Sequence, residues 1–147
     1  MTAANRGKTA EEKVTAFLKA YDARHQDFDW ARNYDAHSAG GRFQRQTGDF
    51  QFYKTNVHGV IEAKEVAHDF RLPFKNFTAE GVAKLWKREL AGGVVIVLVY
   101  HSTSGLWRMP PFTAFRGPRV GGSWDLTPWP AFESCSDALG NLQVFFR

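Results

Sequence analysis

Apolar residues recur along this chain with two different periods. Val14, Phe17, Leu18 and Tyr21 fall at i, i+3, i+4 and i+7, which is one stripe of a helix from Lys8 to about Arg24. Thr9 is placed to cap that helix, and Glu11 and Glu12 suit the positive end of its dipole. Asp27 to Ala36 alternates enough to predict a strand, and His37 to Gln46 is a glycine-rich loop carrying Arg42 and Arg45. From Phe50 the period is two: Phe50, Phe52, Val57, Ile61 and Ala63 form one apolar face of a hairpin. Thr55-Asn56 supplies the turn, because Asn tolerates a positive φ. Thr78 caps a second helix whose buried stripe is Val82, Leu85, Trp86 and Leu90, and Gly92-Gly93 stops it. Val94 to Tyr100 is a continuous β-branched run, so a strand covered on both faces. Gly105 to Met109 predicts a short edge strand ended by Pro110-Pro111. Helices alternating with strands predict the α/β class, a mixed sheet with helices packed on it.

Composition narrows this only a little. At 147 residues one domain is the default, and 44% hydrophobic residues, with 13 Phe and 5 Trp, are enough for a real core. A net charge of +4 favours a polyanionic partner. The single Cys135 excludes an intrachain disulfide framework and suits a reducing compartment, and no nearby His makes it a nucleophile. No apolar run reaches about 18 residues, so a soluble, cytoplasmic protein without membrane segments is expected.

The hairpin carries the candidate chemistry. Symmetric pairing about Thr55-Asn56 sets Asp49 directly opposite Glu62, on the face away from the core, with Cβ atoms roughly 4.5–5.5 Å apart. Lys64 joins that face two residues on. Two opposed carboxylates repel unless a cation lies between them. A divalent metal resolves the conflict, since both acids are hard oxygen ligands suited to Mg²⁺ and the Ala63 carbonyl can add a third. Lys64 can then orient a water or stabilise charge at phosphorus. The plainer alternative is a solvated sheet face with a surface ion pair, worth about 0–1 kcal/mol. That alternative leaves the placement of two acids opposite each other unexplained.

Gly48-Asp49 followed by Glu62-Ala63-Lys64 resembles the active-site motif of the PD-(D/E)xK nucleases, and among them the RecU-type and phage Holliday junction resolvases. Asn5 to Glu12, Arg71 to Phe77, and Gly92 to Tyr100 with the following Trp107 to Pro111 also resemble segments of that family, so the likeness covers roughly residues 5–112. The tail from residue 113 is an uncovered C-terminal extension that could form a dimer contact. The resemblance implies a restriction-endonuclease-like core of mixed sheet flanked by helices. It also implies a Mg²⁺-dependent endonuclease, with Mn²⁺ able to substitute, that resolves four-way junctions by paired symmetric nicks as a homodimer. Its products would carry 5′-phosphate and 3′-hydroxyl ends. Asp49, Glu62 and Lys64 map onto catalytic positions, and Glu11 onto the family's helical acid, reaching the Asp49/Glu62 face from a helix across the sheet. Glu12 stays a surface residue. Arg42, Arg45, Lys54, Arg71 and Lys75 are candidate DNA contacts. Gly48 stands where the motif's name has Pro, and Thr78 to Gly81 replaces a His-Gln pair. If phage-encoded, the protein would act in the host cytoplasm. Other readings are a nicking, flap or restriction-type nuclease of the same fold, and a catalytically silent junction-binding accessory.

Overall fold

The computed structural model describes residues 8–33 and 48–140. Its elements are α1 (Lys8–Arg24), β1 (Phe28–Arg32), β2 (Phe50–Lys54), β3 (Val57–Val66), β4 (Arg71–Pro73), α2 (Ala79–Leu90), β5 (Val94–His101), β6 (Leu106–Arg108), β7 (Ser123–Asp125), β8 (Ala131–Phe132) and α3 (Cys135–Gly140). Six strands form one sheet in the order β1-β2-β3-β5-β6-β8, and β4 pairs with β7 in a second, two-stranded sheet. Only β3 and β5 run parallel, and α2 lies in the crossover between them, as a parallel pair requires.

Alternation along β3 divides the molecule. Ile61 and Ala63 point to the α1 side, where Val14, Leu18 and Tyr21 meet Phe50, Phe52 and Leu98. Val60 and Val66 point to the α2 side, where Val82 and Leu85 meet Val97, Val99 and Phe77. The hairpin has the predicted register: Phe50 pairs with Ile61 and Lys54 with Val57, and Asn56 takes φ 62° in the turn. Opposite Phe52 lies Gly59, where a Cβ would stand 2.2 Å from the Phe52 ring, so the ring occupies the space a side chain would need.

Three expectations change. The strand at Leu106–Arg108 is not an edge, because β8 pairs with it through Trp107–Phe132 and Arg108–Ala131. Two residues of strand are too short to leave a periodic signal. On α2 only Val82 and Leu85 are buried, while Trp86 and Leu90 are exposed at 41% and 75%. Trp86 is covered instead by the Arg116 guanidinium, 4.7 Å over its ring and paired to Glu89 at 2.8 Å. Thr9 lies inside α1, which already includes Lys8, so its hydroxyl is not the cap. Residues 113–140, which the family likeness does not cover, contribute to the hydrophobic core: Phe115 and Leu126 pack under α2, and Ala138 and Leu139 pack on the α1 side. Trp124 meets Phe74, Phe77 and Phe115 in edge-to-face contacts. Cys135 is buried at the start of α3, and burial pushes its thiol up to about 12, so it is held as an unreactive thiol.

Candidate active site

Asp49 is fixed at the end of β2 from both sides. Its backbone N–H donates to the Ile61 carbonyl at 3.0 Å, and its carbonyl accepts from Asn33 N–H at 2.8 Å. Asn33 also donates its side-chain amide to the Gly48 carbonyl at 3.1 Å and accepts from Gln51 at 3.1 Å. Gly48 turns the chain at φ 77°, a value closed to proline, whose ring holds φ near −65°. That is the physical reason for glycine where the motif's name has Pro.

The Asp49 side chain turns across the sheet and accepts the Ala63 N–H through Oδ2 at 2.7 Å. It thereby takes up the β3 rung just past the last β2 partner, Phe50–Ile61. In an extended strand the N–H and C=O of one residue point the same way, so the Ala63 carbonyl faces the Asp49 side as well. Glu62 and Lys64 flank Ala63 on the opposite face of β3 from Ile61, and Lys64 Nζ meets Glu62 Oε1 at 2.9 Å. Glu62 is buried, at 8% exposure, and the Lys64 ammonium also lies 4.8 Å over the Phe77 ring.

Electrostatics tie these groups into one site. Burial, then the Glu62 carboxylate and then that of Glu11 push Asp49 up to about 7, against the lowering effects of the Ala63 hydrogen bond and Lys64. A buried acid raised by two other acids is a place where positive charge is missing.

Glu11 is not on the face of β3 that carries Glu62 and Lys64. α1 packs on the Ile61/Ala63 side, whereas Glu62 and Lys64 open on the α2 side. The Glu11 carboxylate is held by Arg32, whose Nη2 donates to its Oε2 at 2.6 Å. Arg32 lies on β1 opposite Phe50, one residue from Asp49. Glu12 is exposed, as expected.

A cleft of about 370 Å³ opens over Glu62 and Lys64, walled by Gly48, Lys75, Thr78, Glu80 and Lys84. Thr78 caps α2 there, accepting Gly81 N–H at 3.1 Å. Lys75, a predicted DNA contact, thus shares the cleft with Glu62 and Lys64. Lys84 shares it too and was missed: on its own helix it reads as half of the exposed i,i+4 pair with Glu80, 3.3 Å apart. The remaining candidates lie elsewhere. Lys54 sits at the far end of β2 from Asp49, about 16 Å by strand rise, bonded to the Tyr21 hydroxyl and 5.0 Å over its ring. Arg71 is on β4, donating to Ser123 at 3.3 Å, outside the cleft. Arg42 and Arg45 fall outside the described residues. His58 stacks on Tyr53 and lies 3.4 Å from Arg88, outside the cleft.

The donor set fits a hard cation that keeps most of its waters. Among the described residues no three His, Cys, Asp or Glu side chains form a ready cluster. Mg²⁺ needs only one or two carboxylates, however, plus water and substrate oxygens. Asp49 and Glu62 each have one oxygen engaged, by Ala63 and Lys64, and one left over among the described residues. No helix of the described residues is long and apolar enough to cross a membrane.

No protein-family profile matches the chain, and no curated protein matches it in sequence. In structure it is similar to Hjc, a Holliday junction resolvase of the archaeal hyperthermophile Archaeoglobus fulgidus. The TM-score is 0.59 at 18% sequence identity, over 84% of this chain and 92% of that one. The chain therefore has the restriction-endonuclease-like α/β fold, a mixed central sheet flanked by helices.

Proposed function

We propose that this chain is a structure-selective DNA endonuclease that resolves four-way junctions. The observation that carries this reading is the bond from the Ala63 N–H to the Asp49 carboxylate, which ties Asp49 to the residue between Glu62 and Lys64, with Glu62 and Lys64 lining a cleft that Lys75 and Lys84 also line. The shared fold with a known resolvase supports it. The finer assignment, to the RecU-type and phage resolvases, rests on the sequence motifs.

Asp49, Glu62 and the Ala63 carbonyl would hold Mg²⁺, or Mn²⁺ in its place, with Glu11 contributing directly or through water. Bound there, the cation supplies Lewis-acid polarisation of the phosphodiester and lowers the pKa of a coordinated water. The chain's own residues do the rest. Lys64 orients the attacking water and stabilises the charge that grows on the phosphorus oxygens. Lys75 neutralises a neighbouring backbone phosphate, and Arg42, Arg45, Lys54 and Arg71 extend the contact with the junction arms. Two symmetric nicks require two sites related by a twofold axis, hence a homodimer.

Glu62→Gln and Lys64→Ala test the enzyme reading against that of a binding module. Each variant should lose cleavage in Mg²⁺ while binding a four-way junction in Ca²⁺ with wild-type affinity. A variant that still cuts at the wild-type rate removes these residues from the reaction.

A further inference from the structure

Glu65 follows Lys64 in sequence but points the other way, toward α1. It is 4% exposed, one of three buried polar or charged residues in the described structure. Its Oε1 accepts the backbone N–H of Ala10 at 2.9 Å, across 55 residues of sequence. Its Oε2 is buried and has no hydrogen-bond partner among the described residues. Ala10 lies in the first turn of α1, where backbone N–H groups have no partner within the helix. The acceptor that Thr9 does not provide comes instead from the catalytic strand. A buried carboxylate is costly to keep in an apolar interior, and nothing in the proposed chemistry uses this one directly.

Its consequence falls on the next residue. Glu11 follows Ala10, and its carboxylate accepts from Arg32 Nη2 at 2.6 Å, one residue before Asn33, whose N–H donates to the Asp49 carbonyl at 2.8 Å. Fixing the Ala10 amide fixes the height of α1 over β3, and with it the reach of Glu11. One strand therefore carries Glu62 and Lys64 on one face and, through Glu65, sets the helical acid from the other.

We propose that Glu65 is a positioning residue for cleavage: its bond to the Ala10 amide holds α1 in the register that brings Glu11 to Asp49. This rests on the nuclease reading. Gln keeps an acceptor oxygen at the same reach, so Glu65→Gln should cut a four-way junction within about twofold of wild type. Glu65→Ala, or Glu65→Asp if the alanine variant does not fold, should lower kcat about 10- to 100-fold with KM unchanged, the scale expected of a misplaced group. Amide hydrogen exchange at Ala10 should speed up in Ala and Asp and stay slow in Gln. In a Glu11→Gln background the Glu65→Ala change should cost nothing further, because Glu65 acts through Glu11. Equal, independent losses from the two changes overturn the proposal. So does an alanine or aspartate variant that melts lower yet cuts at the wild-type rate below its transition. A wild type that cuts no branched DNA fails the nuclease reading itself and takes the catalytic role of Glu65 with it. The Ala10 exchange pattern then reports the bond alone.

Discussion

The Asp49 carboxylate accepts the backbone N–H of Ala63 at 2.7 Å, which ties the first acid of the site to the residue between Glu62 and Lys64. A side chain thus replaces the ladder bond that β2, ending at Phe50, no longer offers. The relative placement of acid, acid and lysine is set by backbone geometry rather than by flexible side chains, and such preorganisation is what a site needs for charge stabilisation.

That arrangement makes the metal-free protein sensitive to pH. Asp49 titrates near 7 when folded and near 3.8 in an unfolded chain. Between those values the folded state holds a proton that the unfolded state has released, so stability falls as pH rises through the window. The loss by pH 8 is of order 2–4 kcal/mol. Asp49→Asn keeps an acceptor for Ala63 and cannot ionise. It should be more stable than wild type at pH 8 and about equal at pH 4, with the difference between the two proteins growing across the interval. Calorimetric melting at the two pH values, without divalent ions, checks this. Added Ca²⁺ or Mg²⁺ should restore wild-type stability at pH 8 and leave Asp49→Asn unmoved.

Lys84 should contribute to binding and not to chemistry. It lines the cleft, and its partner Glu80 is exposed, so the pair is weak and the ammonium can be redirected to a phosphate. Lys84→Ala should weaken junction binding in Ca²⁺ about three- to tenfold at low salt and reduce the slope of log K against log salt by about 0.9. The cleavage rate at saturating junction should not change. An unchanged salt slope would mean that Lys84 meets no phosphate.

Gly59 offers a control for stability alone. Its Cβ would stand 2.2 Å from the Phe52 ring in the α1-side core, and Phe52 is fully buried. Gly59→Ala should destabilise by about 1–3 kcal/mol through overpacking. Below its melting transition it should cut as wild type does, since Asp49, Glu62 and Lys64 lie at the other end of the hairpin.

The hairpin was legible in the sequence because a one-residue slip would have turned Phe50, Phe52, Ile61 and Ala63 out of the core. Asn56 at φ 62° supplied the turn that fixes the same register. Glu62 and Lys64 follow from it by alternation, whereas Asp49 lies just beyond the paired strand and bonds through its N–H to Ile61 and through its carboxylate to Ala63, contacts that alternation does not give. Lost to local reading were the contacts made at long range. The acceptor for the first turn of α1 is Glu65, 55 residues away, so Thr9 looked like the cap. Trp86 has the spacing of a core residue, but Arg116 from the tail covers it at the surface. Lys84 points into the cleft only because α2 lies over the acid-bearing face of β3. β4 pairs with β7, and β8 extends the sheet, through three and two residues each.

The central claim is tested most directly by one gel that compares a mobile-free four-way junction, a flap and a linear duplex, each with Mg²⁺ and with Mn²⁺. The account predicts paired nicks at symmetric positions on opposing strands of the junction, with the flap and the duplex left largely intact. A flap or duplex cut faster than the junction would assign the site to another nuclease activity of this fold, and no cutting of any branched DNA with either ion would contradict the enzyme reading altogether.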